Sequence, residues 1–365
     1  MRADHGRRLA AAAELLAVRG LDALIVAPSP DLAYLTGYEP MPLERATLLV
    51  VVPDAAPRLL VPLLERPLAL DAPGAGALGV SGWRDGEDPY EVIAGWLPPG
   101  GRVAVGDRLW GVHLLALQAA APGRTWTSAR PVVGTLRARK DVAELDALRR
   151  AGASADAALG DLLQMSFAHR RERDVAADLA ELLLAHGHER VDFTIVASGP
   201  NAASPHHEPG DRVLTPGDAL VLDFGGVLDG YCSDTTRTLA VGEPARELIG
   251  VHAVVREAQA AARATVRPGI QIREVDRAAR AVIDAAGYGE RFFHRTGHGI
   301  GIEVHEPPYA DEDDDTVLAP GMTFSVEPGI YLDGRLGVRI EDIVAVTEEG
   351  VEELNRSPRD LLVVE

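Results

Sequence analysis

The chain has 365 residues, 47% of them hydrophobic and 25% charged, a globular composition long enough for about two domains. Its formal net charge of -19 argues against nucleic acid or an anionic membrane surface as partner, since both select clustered basic side chains. Cys232 is the one cysteine, which excludes an intrachain disulfide, and no apolar run approaches the ~20 residues of a membrane span.

In chain order, residues 1–20 place Leu9, Ala12, Ala13 and Leu16 on one face among scattered charges. That pattern predicts an amphipathic first helix, not a secretion signal, and with the lone thiol it leads us to expect a cytoplasmic protein. Short apolar runs predict strands at 23–27, 47–52, 58–61 and 103–105, so residues 1–135 read as an α/β domain. Proline and glycine punctuate 67–101, where loops are expected. The four tryptophans, Trp83, Trp96, Trp110 and Trp126, all fall in this domain and read as core or interface. A charged stretch at 135–141 marks the boundary and opens a helical pattern from 141 to about 167, the start of a second domain over 136–365. Lys140 is the only lysine, which we read as composition bias.

The second domain contains an internal repeat. Leu214-Thr-Pro-Gly-Asp-Ala-Leu-Val-Leu-Asp-Phe-Gly225 matches Leu318-Ala-Pro-Gly-Met-Thr-Phe-Ser-Val-Glu-Pro-Gly329, with Asp223 and Glu327 coinciding. Upstream, Arg173-Asp-Val and Arg273-Glu-Val open two similar helices ending at Gly187 and Gly287. Two copies of one unit predict halves related by a pseudo-two-fold axis with a site between them. Each copy carries a hairpin signal, Asp229-Gly230 and Asp333-Gly334. Asp223 and Asp234 stand astride the first turn, Glu327 and Glu341 astride the second, so each pair is expected nearly opposite across its hairpin.

Four carboxylates among apolar strands need positive charge nearby. Arg237 and Arg339 could neutralise part of it, and hard divalent cations meet the need better. His298, flanked by glycines in Thr296-Gly-His-Gly-Ile-Gly301, adds an imidazole. One histidine with four carboxylates supplies enough donors for two metals about 3.5 Å apart. The acidic run 311–315 reads as a solvated loop, and Cys232 as a small packing residue.

The ordered set Asp223-Phe-Gly-Gly, Tyr231-Cys-Ser-Asp234-Thr-Thr-Arg-Thr, Gly297-His298-Gly-Ile-Gly, Val304-His305-Glu, Glu327-Pro-Gly-Ile-Tyr and Val338-Arg339-Ile-Glu341-Asp342 resembles the pita-bread metallopeptidases. Within them it is most similar to the Xaa-Pro dipeptidases (prolidases) and aminopeptidases P. The resemblance implies an α/β (α+β) chain, with a creatinase-like N-terminal domain and a pita-bread catalytic domain. It implies Asp223, Asp234, His298, Glu327 and Glu341 as ligands of two divalent metals, Mn²⁺ first and Co²⁺ or Zn²⁺ as alternatives. It also implies His206 and His305 facing a small peptide substrate, Arg339 just before the last ligand, and a homodimer. His207 competes with His206 for the first of these roles; the family's apolar-Pro-His step favours His206. The expected reaction is cleavage of the bond between an N-terminal residue and proline. Glu327 carries the proton, His305 steadies the developing oxyanion and His206 assists the leaving nitrogen.

Two departures bear on the substrate. Aminopeptidases P usually follow the second histidine with Asp, whereas His305-Glu306 is the prolidase form. Some prolidases carry an arginine four residues past that histidine to grip the dipeptide carboxylate, and here the position is Tyr309. Arg45 is our candidate for the grip, against the alternative of a solvated loop residue. An aminopeptidase P acting on longer peptides is the first alternative function, and a catalytically silent binding homologue the second.

Overall fold

A computed structural model describes residues 4–365. It divides into two compact units, Met1–Arg137 and Ala138–Glu365. The helices of the first unit include α1 (His5–Val18), α2 (Pro30–Thr36), α3 (Arg66–Asp71), α4 (Pro89–Ala94) and α5 (Gly111–Ala120). Its six strands are β1 (Ala23–Val26), β2 (Leu48–Val52), β3 (Ala55–Pro62), β4 (Gly79–Trp83), β5 (Arg102–Val105) and β6 (Thr125–Ser128). They form one mixed sheet in the order β4-β3-β2-β1-β5-β6. β1 is the fully buried centre, antiparallel to β2 and parallel to β5, which is why its run is apolar on both faces. The amphipathic α1 buries Leu9, Ala12 and Leu16, as its spacing predicts.

The stretch 67–101 is loop at about half of its residues, and it also holds most of α3, all of β4 and all of α4. Each helix there is six residues long, shorter than the window in which a 3.6-residue period registers. Proline opens both of them, at Pro67 within α3 and at Pro89 in α4, so the punctuation marks helix starts. Trp83, Trp96 and Trp126 pack partly buried against the core, whereas Trp110 is exposed.

After the one-turn α6 (Thr135–Ala138), the second unit repeats one motif. Its helices are α7 (Val142–Leu162), α8 (Glu172–Ala185), α9 (Arg246–Thr265) and α10 (Arg273–Ala285). α7 starts with a reciprocal cap: Glu144 N donates to Asp141 Oδ1 at 2.9 Å and Asp141 N donates to Glu144 Oε2 at 2.7 Å. The first half supplies β7 (Arg190–Ser198), β8 (Ala219–Leu228), β9 (Tyr231–Cys232) and β10 (Thr235–Val241). The second supplies β11 (Gly297–Gly299), β12 (Glu306–Ala310), β13 (Thr323–Val326), β14 (Gly329–Leu332), β15 (Leu336–Arg339), β16 (Asp342–Val346) and β17 (Val351–Glu353), and β18 (Val363–Val364) follows.

The strands assemble as β18-β10-β8-β7, with β9 on β8, and as β12-β11-β13-β16-β17, with β14–β15 a separate hairpin. α7 and α8 pack Leu159, Leu162, Leu179 and Leu183 against Leu220, Leu222 and Phe224 of the first sheet. α9 and α10 pack Val251, Val255, Ala279 and Ile283 against Phe324 and Val344 of the second. The repeat holds down to single hydrogen bonds. Gly217 and Gly321 both turn with positive φ, +95° and +88°, before β8 and β13. Gly217 N donates to Val241 O at 2.7 Å, and Gly321 N donates to Val346 O at 2.9 Å. An antiparallel bridge between Thr236 and Glu341 joins the two sheets.

Candidate metal centre

That bridge sets the register of the centre. Asp223 pairs with Ile195 on one side and Thr236 on the other, and Thr236 pairs with Glu341. Residues in one such row share a face, so Asp223 and Glu341 flank Thr236 on the same side. Thr236 Oγ1 donates to Glu341 Oε2 at 2.6 Å. In the first hairpin Asp223 therefore lies opposite Thr236, and not opposite Asp234 as the turn signal suggests. Asp234 occupies the break between β9 and β10, where Ser233 N donates to Gly226 O at 2.8 Å. The second pair is nearer the expectation: Val326 pairs with Asp342, so Glu327 and Glu341 leave the ends of β13 and β16 side by side.

His298 comes from β11, and its glycine neighbours have steric work to do. A Cβ on Gly297 would lie 1.8 Å from Ser325 O, and one on Gly299 would lie 2.4 Å from Glu306 O. His298 Nδ1 donates to Gly299 O at 3.2 Å, which turns Nε2 toward the acids. From Nε2 the nearest carboxylate oxygens are Glu327 Oε1 at 3.2 Å, Asp234 Oδ2 at 3.5 Å and Glu341 Oε1 at 3.9 Å. Donor atoms of His298, Glu327 and Glu341 lie within 4.8 Å of one another, and so do those of Asp223, Asp234 and Glu341. Asp234, His298 and His305 form a third such group.

The donor set fits divalent cations. Asp223 Oδ1, Asp234 Oδ1 and Glu341 Oε1 are buried with no hydrogen-bond partner, an arrangement that is costly unless something positive binds there. In the metal-free protein burial raises the pKa of Asp223, Asp234 and Glu341, and the neighbouring carboxylates raise it further. Burial opposes ionisation of Glu327 as well. There the His298 hydrogen bond and the charges of His298, His294 and Arg339 win, and its pKa is lowered.

Arg339 is buried and its Nη2 donates to Asp223 Oδ2 at 2.5 Å. Its Nη1 donates to Tyr331 Oη at 2.9 Å, and Tyr331 Oη lies 2.9 Å from His294 Nε2. His294 Nδ1 donates to Arg295 O at 2.7 Å, so Nε2 accepts from the tyrosine. The chain His294–Tyr331–Arg339–Asp223 fixes Asp223 from behind. Arg237, the other expected neutraliser, serves the structure elsewhere: its Nη2 donates to Asp342 Oδ1 at 2.7 Å and to Ser357 O at 2.9 Å.

His206 and His305 stand exposed at the rim, and His206 is close enough for its charge to act on His305. The His305 ring centroid is 4.1 Å from that of His298. Desolvation, then the charges of His298, Arg295 and His206, push His305 down to about 4, so it is neutral at pH 7. His207 points elsewhere, with Nε2 2.8 Å from Glu172 Oε2. Glu172, fully buried, also accepts from Ser198 N at 2.8 Å, Ser198 Oγ at 2.7 Å, Asn201 Nδ2 at 3.0 Å and Gly210 N at 3.3 Å. Burial works against its ionisation, but these donors outweigh it and lower its pKa. Glu172 thus pins the loop that carries His206. Asp276 does the same for the His298 segment, accepting from Thr296 Oγ1 at 2.7 Å and Thr296 N at 3.1 Å.

Behind His305, Lys140 Nζ lies 2.7 Å from Glu306 Oε1 with both side chains 2% exposed. The sole lysine is therefore half of a buried ion pair beside the site. Across the same loop, Cys232 N donates to Gly301 O at 2.8 Å and the thiol is buried. Arg45 belongs to the first unit, where its Nε and Nη2 donate to Asp85 at 3.1 Å and 3.2 Å. Glu172, Asp276, His294, Lys140 and the role of Tyr331 were not found from sequence. Only Tyr331 carried a signal, inside Glu327-Pro-Gly-Ile-Tyr.

Residues 146–348 match the model of metallopeptidase family M24, and residues 8–139 match the creatinase/prolidase N-terminal domain. The chain is 46% identical to the probable dipeptidase PepE of Mycobacterium tuberculosis, over 99% of this chain and 96% of that protein. It is 37% identical to the Xaa-Pro dipeptidase of Lactobacillus helveticus, over 91% and 92%. The crystal structure of dipeptidase PepE from Mycobacterium ulcerans superposes with a TM-score of 0.95 at 43% identity, covering 99% of this chain and 98% of that one. The matched catalytic span contains every acid and histidine of the cluster, and the chain belongs to metallopeptidase family M24.

Proposed function

We propose that the protein is a two-metal Xaa-Pro dipeptidase, with Asp223, Asp234, His298, Glu327 and Glu341 as ligands and His206, His305 and Arg339 completing the site. The observation that carries this reading is the buried set of unpartnered carboxylate oxygens around His298 Nε2. Relatives named Xaa-Pro dipeptidase support the substrate class. When bound, two divalent cations supply Lewis acidity and lower the pKa of water. Glu327, whose Oε1 also accepts from Ser325 Oγ at 3.0 Å, takes the proton of the attacking water and returns it to the leaving nitrogen. Neutral His305 donates its ring N–H to the oxygen on which charge develops. Proline's nitrogen has no hydrogen of its own, and His206 at the rim donates toward it. Arg339 holds Asp223 in place through the 2.5 Å contact. The carboxylate-rich donor set with one imidazole suits Mn²⁺, with Co²⁺ or Zn²⁺ as alternatives, and a homodimer is the expected assembly.

The test is a panel of Xaa-Pro dipeptides and Xaa-Pro-containing tripeptides, assayed with Mn²⁺, Co²⁺ or Zn²⁺ and with bound metal quantified. Dipeptide cleavage dependent on added metal is the expected result. Cleavage of tripeptides alone would move the assignment to an aminopeptidase. No tight metal and no metal-dependent turnover would leave a silent binding protein.

A further inference from the structure

A dipeptide ending in proline carries its free carboxylate on the residue just past the scissile bond. Consecutive Cα atoms are about 3.8 Å apart, so the group that holds this carboxylate must lie within one residue's reach of the rim histidines. The two arginines nearest the cluster core are committed, Arg339 to Asp223 and Arg237 to Asp342. Tyr309 cannot supply charge. It does supply a surface: the Arg295 guanidinium carbon lies 4.3 Å from the centroid of the Tyr309 ring.

We propose that Arg295, held over the Tyr309 ring beside His305, holds the free carboxylate of the dipeptide substrate. This rests on the dipeptidase reading given above. Tyr309 and His298 are a cross-strand pair of β12 and β11, so the stacked arginine sits on the face that carries the metal-centre histidine. Tyr309 N donates to Asp314 Oδ2 at 2.8 Å, and beside it Thr296 N donates to Ala310 O at 2.9 Å. The charge of Arg295 reaches His305, where it is one of the groups that depress the imidazolium. Among the described residues the Arg295 side chain has neither an ion pair nor a hydrogen bond to a carboxylate, and it is half-buried. Stacking on an aromatic face restrains a guanidinium while leaving its N–H edge open to a bidentate carboxylate. A cation held this way and left unpaired is ready for an anionic ligand.

The experiment compares kcat/KM for an Xaa-Pro dipeptide and for its C-terminal amide, using the full-length Mn²⁺-loaded protein and the variants R295M, R295K and R45M. Inhibition by free proline and by prolinamide gives an equilibrium readout alongside, and bound Mn²⁺ is quantified for each protein. Wild type is expected to prefer the acid by about 100-fold, the scale of a desolvated charge pair. In R295M this preference collapses, through KM more than kcat, with amide turnover and metal content held within about threefold. R295K retains part of the preference, and proline loses its advantage over prolinamide in step with the loss in each variant. Retention of the preference in R295M, an equal loss for acid and amide, or a collapse in R45M alone would each overturn the assignment to Arg295. A wild type that cleaves no Xaa-Pro dipeptide would overturn the proposed activity and this inference with it, whereas the R295M and R45M outcomes overturn the inference alone.

Discussion

Glu172 offers the sharpest test of how the His206 loop is held. The substitution Glu172→Gln keeps the shape and replaces one carboxylate oxygen with an amide nitrogen. Retaining the oxygen toward Ser198 turns that nitrogen toward His207 Nε2, Asn201 Nδ2 and Gly210 N, which now approach at 2.8, 3.2 and 3.3 Å as donors. His207 can change tautomer and accept, so about two hydrogen bonds to a buried charged acceptor are lost, each worth roughly 1.5–3 kcal/mol. The expected cost is about 3–6 kcal/mol, which lowers the melting temperature of a unit this size by roughly 6–24 °C. The pH dependence has a definite sign. The folded pKa is lowered from its ordinary value of 4.5, so the stabilisation is present above that value and is lost as pH falls through the folded pKa. Thermal melts of wild type and E172Q should therefore differ most near neutrality and converge under acid conditions. Metal content should be unchanged while kcat/KM falls, because Glu172 touches the His206 loop and none of the proposed ligands. A melting difference under about 2 °C at neutral pH, or one that persists undiminished in acid, would refute this account.

Glu327→Gln should lower kcat by about 100-fold or more with both metals retained, and near-normal turnover of the loaded variant would remove the proton-carrier role. Removing the metals should destabilise the protein increasingly as pH rises. The metal-free pKa values of Asp234 and Glu341 lie well above 3.8 and 4.5, so ionising them in the folded state becomes more costly toward higher pH. Melts with Mn²⁺ and with chelator should diverge as pH rises above the ordinary carboxylate values of 3.8 and 4.5, and a constant gap would contradict the origin given for it. Lys140→Met should cost about 3–5 kcal/mol by stranding the Glu306 carboxylate, with most of that loss recovered in K140M/E306L; no recovery in the double variant would show that the ion pair is not the source.

The parts of this molecule that the chain spells out locally were legible, and the parts that depend on distant contacts were not. The repeated Pro-Gly, strand and acid pattern led to the two symmetric halves, because each copy is a local instruction with its own positive-φ glycine. The glycines around His298 pointed to a close backbone approach, and Ser325 and Glu306 are the neighbours that require it. The hairpin expectation put Asp234 opposite Asp223, but the break between β9 and β10 moves Asp234 out of the ladder and gives its place to Thr236. A turn dipeptide says where a chain reverses and leaves an irregular register undetermined. Glu172 bonding to Ser198 and Lys140 pairing with Glu306 span 26 and 166 residues of chain, distances at which no spacing rule operates. Asp276 holds Thr296 in the same manner as Glu172 holds Ser198, one acid near the start of a helix for each half.

The buried Lys140 has a consequence for reagents as well as for folding. The sequence contains one ε-amine and one thiol, Lys140 and Cys232, and both are hidden in the catalytic unit. They bracket the same short segment, with Cys232 bonded to Gly301 and Lys140 to Glu306. Acylating and alkylating reagents therefore find no side-chain target of either kind until the segment presenting His305 lets go. Each nucleophile then reports the release at a single position, so the two modification rates, read against each other, time the opening of the substrate-facing loop without any introduced label.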